Sequence, residues 1–145
     1  MTDLISLAAV LACTLFAGAA VYINLVEHPA RLACGTEVAA RQWAPSYKRA
    51  TVMQASLAMI AGASGAVRWV QSRQALWLWG AAAILAVVPV TLLVIFPTNK
   101  KLLEPGRDLA SAETRALLEA WGRLHAIRSA LGIVASVLMI WAAMR

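Results

Sequence analysis

The stretch LISLAAVLACTLFAGAAVYINLV, from Leu4 to Val26, decides the fold, because it holds no charged residue between Asp3 and Glu27. A helix needs about 17 to 25 mostly apolar residues to cross the hydrocarbon core of a bilayer. Two further uncharged stretches, 50–67 and 74–99, are also long enough. Hydrophobic residues make up 61% of the chain and charged residues only 14%, a bias well above that of a soluble domain. These features predict a membrane protein.

The fourth apolar stretch, 129–144, is shorter than the others. Its 16 residues give about 24 Å of helix at about 1.5 Å per residue. To span the bilayer, the helix must extend back through Arg128 and towards His125. Ionisable groups at that depth usually face a bundle interior or a wet cavity. The sequence thus predicts an all-α, four-helix transmembrane bundle in a single integral membrane domain, 1–145, with helices near 3–27, 47–71, 75–98 and 112–144. A shorter surface helix between 29 and 43 is also compatible.

The basic residues predict an orientation. Of the 13 lysines and arginines, ten lie in or beside the loops that follow the first and third helices, and three lie on the other side: Arg68, Arg73 and Arg145. Because cytoplasmic loops are enriched in lysine and arginine, we expect these two loops in the cytoplasm and both termini outside, in the cytoplasmic (inner) membrane. Membrane lipid is the expected partner, since orientation and anionic lipid explain the net charge of +6 without nucleic acid. A homo-oligomer is compatible with the sequence.

The two helical hairpins resemble each other weakly. Pro29 and Pro97 follow the first and third apolar stretches, and Trp43 precedes the second helix much as Trp121 precedes the fourth. Such a pattern is typical of a parallel repeat about an axis along the membrane normal.

A polar face is predicted on the fourth helix. Trp121, His125 and Arg128 are spaced i, i+4 and i+7, which places them within an arc of about 60° at about 100° per residue. Arg123 lies on the opposite face and is expected in lipid or loop. The inner ends of the other helices contribute five more candidates on the same side: Glu27, His28, Trp43, Tyr47 and Asn99. Because a buried arginine is costly unless it is paired, and Glu27 is the nearest acid by sequence and side, we expect Glu27 to contact Arg128 or His125.

These residue types suit chemistry on a flat, weakly acidic organic molecule. A histidine can take a proton near neutral pH, and an arginine with an asparagine can hold an oxyanion. We therefore predict His125, Arg128 and Asn99 as catalytic residues. Substrate binding is predicted for the aromatic rings, which can stack on an aromatic substrate, and for two residues at the end of the first helix: Trp121, Trp43, Tyr47, Glu27 and His28.

Other interpretations of these residues stay open. Glu27, His28 and Asn99 also fit helix ends, with Pro29 enforcing the stop, and Arg128 could extend to the lipid headgroups. Asn24 and Thr91 are interpreted as packing residues that bond locally. We expect no metal site and no cofactor. A haem between His28 and His125, or copper held by both with Glu27, is the open alternative.

The residues named above carry a resemblance to a known family. The chain resembles the anthrone oxygenase-like family of small membrane proteins, long catalogued as a domain of unknown function, through five stretches in order: FAGAAVYIN (16–24), EHPAR (27–31), WAPSYKR (43–49), PTNK (97–100) and WGRLHAIR (121–128).

The resemblance implies a four-helix membrane domain whose relatives oxidise polyketide anthrones with dioxygen and no established cofactor. The positions that it carries over are Glu27, His28, Asn99, Trp121, His125 and Arg128. It implies an oxygenase of phenolic, anthrone-like or quinol-like substrates. The alternative is a non-catalytic membrane protein that binds haem, metal, quinone or lipid.

Cysteine labelling tests the orientation. In a variant without the native cysteines, we place single cysteines at positions 35 and 105, in the two basic loops. A membrane-impermeant thiol reagent should label both only after the cells are opened, because the loops are predicted to be cytoplasmic. Labelling of both positions from outside intact cells would contradict the charge argument.

Overall fold

The computed structural model describes residues 4–145, and over that range the chain forms four long helices and no strand. They are α1 (Leu4–Ala33), α2 (Thr36–Ser72), α3 (Ala75–Leu102) and α4 (Ala112–Ala143). All four are long and apolar enough to cross a membrane, by length and composition. The predicted all-α fold of four helices with membrane-span potential is confirmed. Asp3, which the prediction included in the first helix, lies outside the described residues.

The helices form a ring in which α1 and α3 each pack against α2 and α4. On α1, one stripe is buried in the bundle and includes Ala9, Cys13 and Phe16. Leucines on the other side, such as Leu7 and Leu11, are exposed. An apolar outer surface of this kind is suited to lipid, where small buried residues allow the helices to pack closely.

The prolines after the predicted first and third helices do not end them. Each lies near the start of an α-helical segment that follows a π-helical turn: Ile23–Glu27 precedes Pro29, and Thr91–Ile95 precedes Pro97. A proline lacks an N–H and its ring clashes with the carbonyl four residues earlier, and a π turn, which bonds i to i+5, alters the backbone there. The predicted helix ends at 27 and 98 were therefore too early, and Glu27, His28 and Asn99 do not terminate helices. The shared arrangement agrees with the weak repeat of the hairpins.

Residues 29–43, for which a surface helix was considered, divide between α1 and α2. The turn between them is short and contains Gly35, whose φ of 94° is a conformation that glycine adopts readily. The second helix begins at Thr36 rather than near 47, and Pro45 lies inside it. Trp43 and Tyr47 are therefore held on a regular helix, which fixes their rings relative to the bundle.

The buried residues form two clusters along the bundle. One contains Phe16, Trp77, Ile84 and Met139 together with many alanines. The other lies nearer the two basic loops and contains large rings and aliphatic side chains: Ile23, Trp43, Ile95, Leu118 and Trp121. The predicted polar residues lie in and around this second cluster.

Close packing of α1 on α4 depends on Gly132. A Cβ added there would lie 3.1 Å from the Phe16 ring and 3.2 Å from Cα of Ala17, which is backbone and cannot move alone. We expect Gly132→Val to lower the free energy of unfolding by about 1 to 3 kcal/mol, measured as a lower thermal midpoint in detergent micelles.

The matched control is Gly18→Val, because a Cβ at Gly18 meets nothing within 4 Å. Both variants lose a glycine from a helix, so only the packing differs. Equal thermal midpoints for the two variants would contradict the assigned contact.

Candidate functional site

A small polar cavity lies among the inner parts of all four helices. Its polar lining includes Arg31 from α1, four residues from α2, Asn99 from α3, and His125 and Arg128 from α4; the four on α2 are Ser46, Tyr47, Thr51 and Gln54. Its volume is about 20 Å³, while a cavity needs about 10 to 15 Å³ on this measure to hold one water molecule. The cavity therefore has room for about one water molecule.

Asn24 on α1 fixes the histidine of this cavity. Its amide nitrogen donates to the Gly122 carbonyl at 2.8 Å, so the orientation of the amide is determined. Its oxygen then accepts from His125 Nδ1 at 2.8 Å and from the Ser129 hydroxyl at 2.6 Å. Because an amide oxygen only accepts, His125 carries its proton on Nδ1. In the neutral ring, Nε2 is the basic nitrogen, and it has no hydrogen bond to the described residues.

The guanidinium of Arg128 is buried in the bundle, with 7% of the residue exposed. It donates to Gln54 Oε1 at 2.6 Å and lies 5.6 Å from the centre of the Phe16 ring. Among residues 4–145, no carboxylate lies within ion-pair distance of it. Arg128 thus points into the bundle, as predicted from the short fourth apolar stretch. Arg123, on the opposite face of α4, is exposed.

The expected contact of Glu27 with Arg128 or His125 was wrong. Its carboxylate accepts from Arg31, one helical turn further along α1, and from Gln42 at 2.9 Å and Ser46 at 3.1 Å on α2. A partner at i+4 on the same helix is reached without crossing the bundle. Glu27 therefore ties α1 to α2 beside the cavity and does not line it.

Two of the aromatic candidates, Tyr47 and Trp121, line the cavity, and Trp43 packs against both of their rings. Trp43 and Tyr47 are parallel with ring centres 4.9 Å apart, and Trp43 meets Trp121 edge to face at 5.6 Å. The Tyr47 hydroxyl accepts from Asn99 Nδ2 at 3.1 Å. Asn99 is fully buried, and its Oδ1 has no partner among the described residues. Aromatic pairs of this kind are rigid, and they give the cavity a fixed wall.

His28 is buried but does not line the cavity. Its Nε2 donates to the Leu118 carbonyl at 2.9 Å, and its ring packs on Trp121 and on the backbone at Gly122. One nitrogen of each histidine is thus taken by the protein, and Glu27 is turned towards Arg31. Within the described part of the chain, no three His, Cys, Asp or Glu side chains are grouped to hold a metal ion. The copper set of Glu27, His28 and His125 considered from the sequence is therefore not assembled.

Four residues that the sequence analysis did not assign to the site belong to its structure. Asn24 was expected to bond locally, but it bonds to α4, whereas Thr91 does bond locally, to the Val87 carbonyl. Gln54 lies in an uncharged span, and Ser129 lies one turn from His125. Arg31 was counted among the basic residues and lies in the EHPAR stretch, but no role in the site was predicted for it. Asn24 and Gln54 could have been found from the sequence, because both carry amides inside uncharged spans. A polar group in such a span is costly unless it is hydrogen-bonded, so each is expected to bond within the bundle.

Several buried polar atoms of the lining residues have no hydrogen-bond partner among the described residues. Three are donors from charged or amide groups, namely Arg31 Nε, Gln54 Nε2 and Arg128 Nε, and Asn99 Oδ1 is an acceptor. Buried polar groups are normally bonded, so such a cluster indicates a site for a polar ligand. The excess of donors and the two arginines favour a ligand whose oxygens accept hydrogen bonds and carry negative charge.

Comparisons with known proteins agree with the resemblance. A family model described as anthrone oxygenase matches residues 43–138, which contain α2 from Trp43, all of α3 and most of α4. An anthrone oxygenase, tpcL, of Aspergillus fumigatus is 41% identical over 61 residues, which are 40% of this chain and 38% of that protein. The match therefore spans well under half the length of that relative. No solved structure matches the chain.

The two histidines should show opposite tautomers. At pH 8, where ordinary imidazoles are neutral, we expect His125 to carry its proton on Nδ1 and His28 on Nε2, because each donates to an oxygen. The measurement is two-bond ¹H–¹⁵N correlation NMR of the protein labelled with ¹⁵N-histidine in micelles. Asn24→Ala should remove the Nδ1 preference of His125 and leave His28 unchanged. The same tautomer in both histidines would contradict the assigned hydrogen bonds.

Proposed function

We propose that this chain, which belongs to the anthrone oxygenase family, is an integral membrane oxygenase of phenolic, anthrone-like or quinol-like substrates. The observation that carries the proposal is the pairing of a basic histidine with a buried cation. His125 and Arg128 line one cavity, His125 Nε2 is free of protein partners, and Arg128 has no acid beside it among the described residues. The substrate and the absence of a cofactor are parts of this proposal.

The first step is removal of a proton from the substrate. An anthrone has a CH₂ group opposite its carbonyl, and loss of one of these protons gives an enolate spread over three rings. His125 Nε2 accepts the proton, while Asn24 keeps Nδ1 protonated and the ring in place. A general base of this kind contributes about 10² to 10⁴-fold in rate.

The negative charge that develops is held by the cationic side of the cavity. Arg128 is fixed by Gln54 and by the ring of Phe16, so it needs no rearrangement to meet an oxyanion. The Gln54 amide and Arg31 supply further unpartnered donors. Donors held in place in an apolar surrounding stabilise developing charge far more than water does.

Dioxygen then reacts with the carbanion. A new C–O bond forms at the deprotonated carbon and gives a hydroperoxide after protonation by the His125 imidazolium. Loss of the second proton from that carbon, with cleavage of the O–O bond and departure of hydroxide, leaves a carbonyl. One anthrone and one dioxygen thus give one anthraquinone and one water, with the four electrons that reduce dioxygen supplied by the substrate.

The membrane setting is part of the proposal. Helix length and composition support an integral membrane protein, and the predicted placement is the inner membrane with both basic loops in the cytoplasm. A quinone or lipid bound without turnover is the alternative, and the donors around the cavity would suit a quinone carbonyl as well.

Oxygen uptake tests the proposal. Purified protein is given emodin anthrone, and uptake by protein-free vesicles is subtracted. His125→Asn keeps a donor for Asn24 but has no base, so kcat should fall by about 10² to 10⁴-fold. Arg128→Gln should lower kcat by about 10² to 10³-fold, because it removes the charge that holds the oxyanion.

The matched control is Arg123→Gln, which removes an exposed arginine from the opposite face of α4. It should react at the wild-type rate. Equal rates for wild type and His125→Asn would remove His125 from the mechanism. An inactive wild type that still binds the product quinone would favour the binding alternative.

A further inference from the structure

An apolar crevice between α2 and α3 leads inward from the outer surface of the bundle. Its volume is about 160 Å³, and it is lined almost entirely by carbon. Two of its wall residues, Val88 at 38% and Leu92 at 58%, are among the exposed hydrophobic residues. The walls come from facing helices: Ala55 and Ala58 from α2, and Val87, Val88, Thr91 and Leu92 from α3.

The crevice and the polar cavity meet inside the bundle. Thr51, Gln54 and Arg128 line both spaces. The hydrogen bond between Gln54 and Arg128 therefore lies where the apolar space ends and the polar one begins. Gln54 is 1% exposed and Arg128 7% exposed, and each keeps an unpartnered nitrogen there. This arrangement suits a molecule with an apolar body and a polar edge.

The polar cavity and the crevice differ in volume, and the difference decides which of them can hold an aromatic ring. The polar cavity, at about 20 Å³, has room for about one water molecule and cannot hold a fused aromatic ring system. The crevice is eight times larger and opens towards the space that lipid would occupy. An aromatic substrate that partitions into the bilayer would meet this opening directly.

The backbone of α3 is irregular beside the crevice. Pro89 removes one helical hydrogen bond, and the π-helical segment begins at Thr91, which itself lines the crevice. Such π segments occur frequently at functional sites. The backbone hydrogen bonding of the wall formed by α3 is thus irregular.

We infer that this crevice is the subsite for the flat apolar body of an aromatic substrate, which enters sideways from the lipid and places its oxygen-bearing edge against Arg128. The occupant's identity rests on the proposed function. The polar cavity is too small to enclose the ring system, and Gln54 positions Arg128 at the junction of the two spaces. Substrate access would not depend on the loops at either membrane surface.

Binding of anthraquinone tests the inference apart from catalysis. The protein is placed in nanodiscs of phosphatidylcholine and phosphatidylglycerol, and quenching of tryptophan fluorescence reports the dissociation constant. Ala55→Phe and Val88→Phe, which fill the crevice from opposite walls, should each weaken binding at least about tenfold, because an added ring excludes the ligand sterically. With emodin anthrone, kcat/KM should fall by a similar factor.

The matched control is Ala63→Phe, the same substitution at an exposed position of α2 outside the crevice. It should bind and react like wild type, and size-exclusion profiles confirm that all variants are folded. Wild-type binding and turnover in both crevice variants would overturn the inference while the oxygenase proposal stands. Crevice-dependent binding without oxygen uptake by wild type would overturn the oxygenase and keep the subsite. No binding by wild type would overturn the inference.

Discussion

One buried cation is the main physical constraint on the structure. Arg128 lies inside an apolar bundle, and no carboxylate among residues 4–145 neutralises it. An uncompensated buried charge costs several kcal/mol, and a neutral amide with an aromatic ring offsets only part of that. Stability of the bundle must therefore come from its tight packing elsewhere, as at Gly132. A site that tolerates such a charge is best explained by a ligand that brings the missing negative charge.

Asn24 organises the other half of the site. It joins α1 to α4 through three hydrogen bonds and thereby sets the tautomer of His125. Glu27 and Arg31 pair with each other, so the acid that could have neutralised Arg128 is occupied. His125 and Arg128 consequently line one cavity, and no acid among residues 4–145 pairs with either of them. That separation is what proton removal followed by charge stabilisation requires.

The sequence predicted the fold from the lengths of its uncharged stretches, because a stretch long enough to cross the hydrocarbon core as a helix has few alternative structures in lipid. The short fourth stretch also placed Arg128 and His125 inside, since only an extended helix could span. The predicted helix ends at 27 and 98 were too early, because each helix continues through its proline after a π turn, before Pro29 and before Pro97. The predicted partner of Glu27 was wrong because Arg31, four residues further along the same helix, is closer to its carboxylate than any residue across the bundle. The roles of the site residues stay predictions.

We propose that Arg128, where the cavity and the crevice meet, holds the oxyanion of an aromatic molecule, and a dye tests this most directly. A hydroxyanthraquinone changes its visible absorption band when its hydroxyl ionises. Bound to the protein at a pH well below its own pKa, the dye should show the band of the anion, and Arg128→Gln should return it to the neutral band. A dye that binds the wild-type protein with the neutral band, unchanged by Arg128→Gln, would contradict the account.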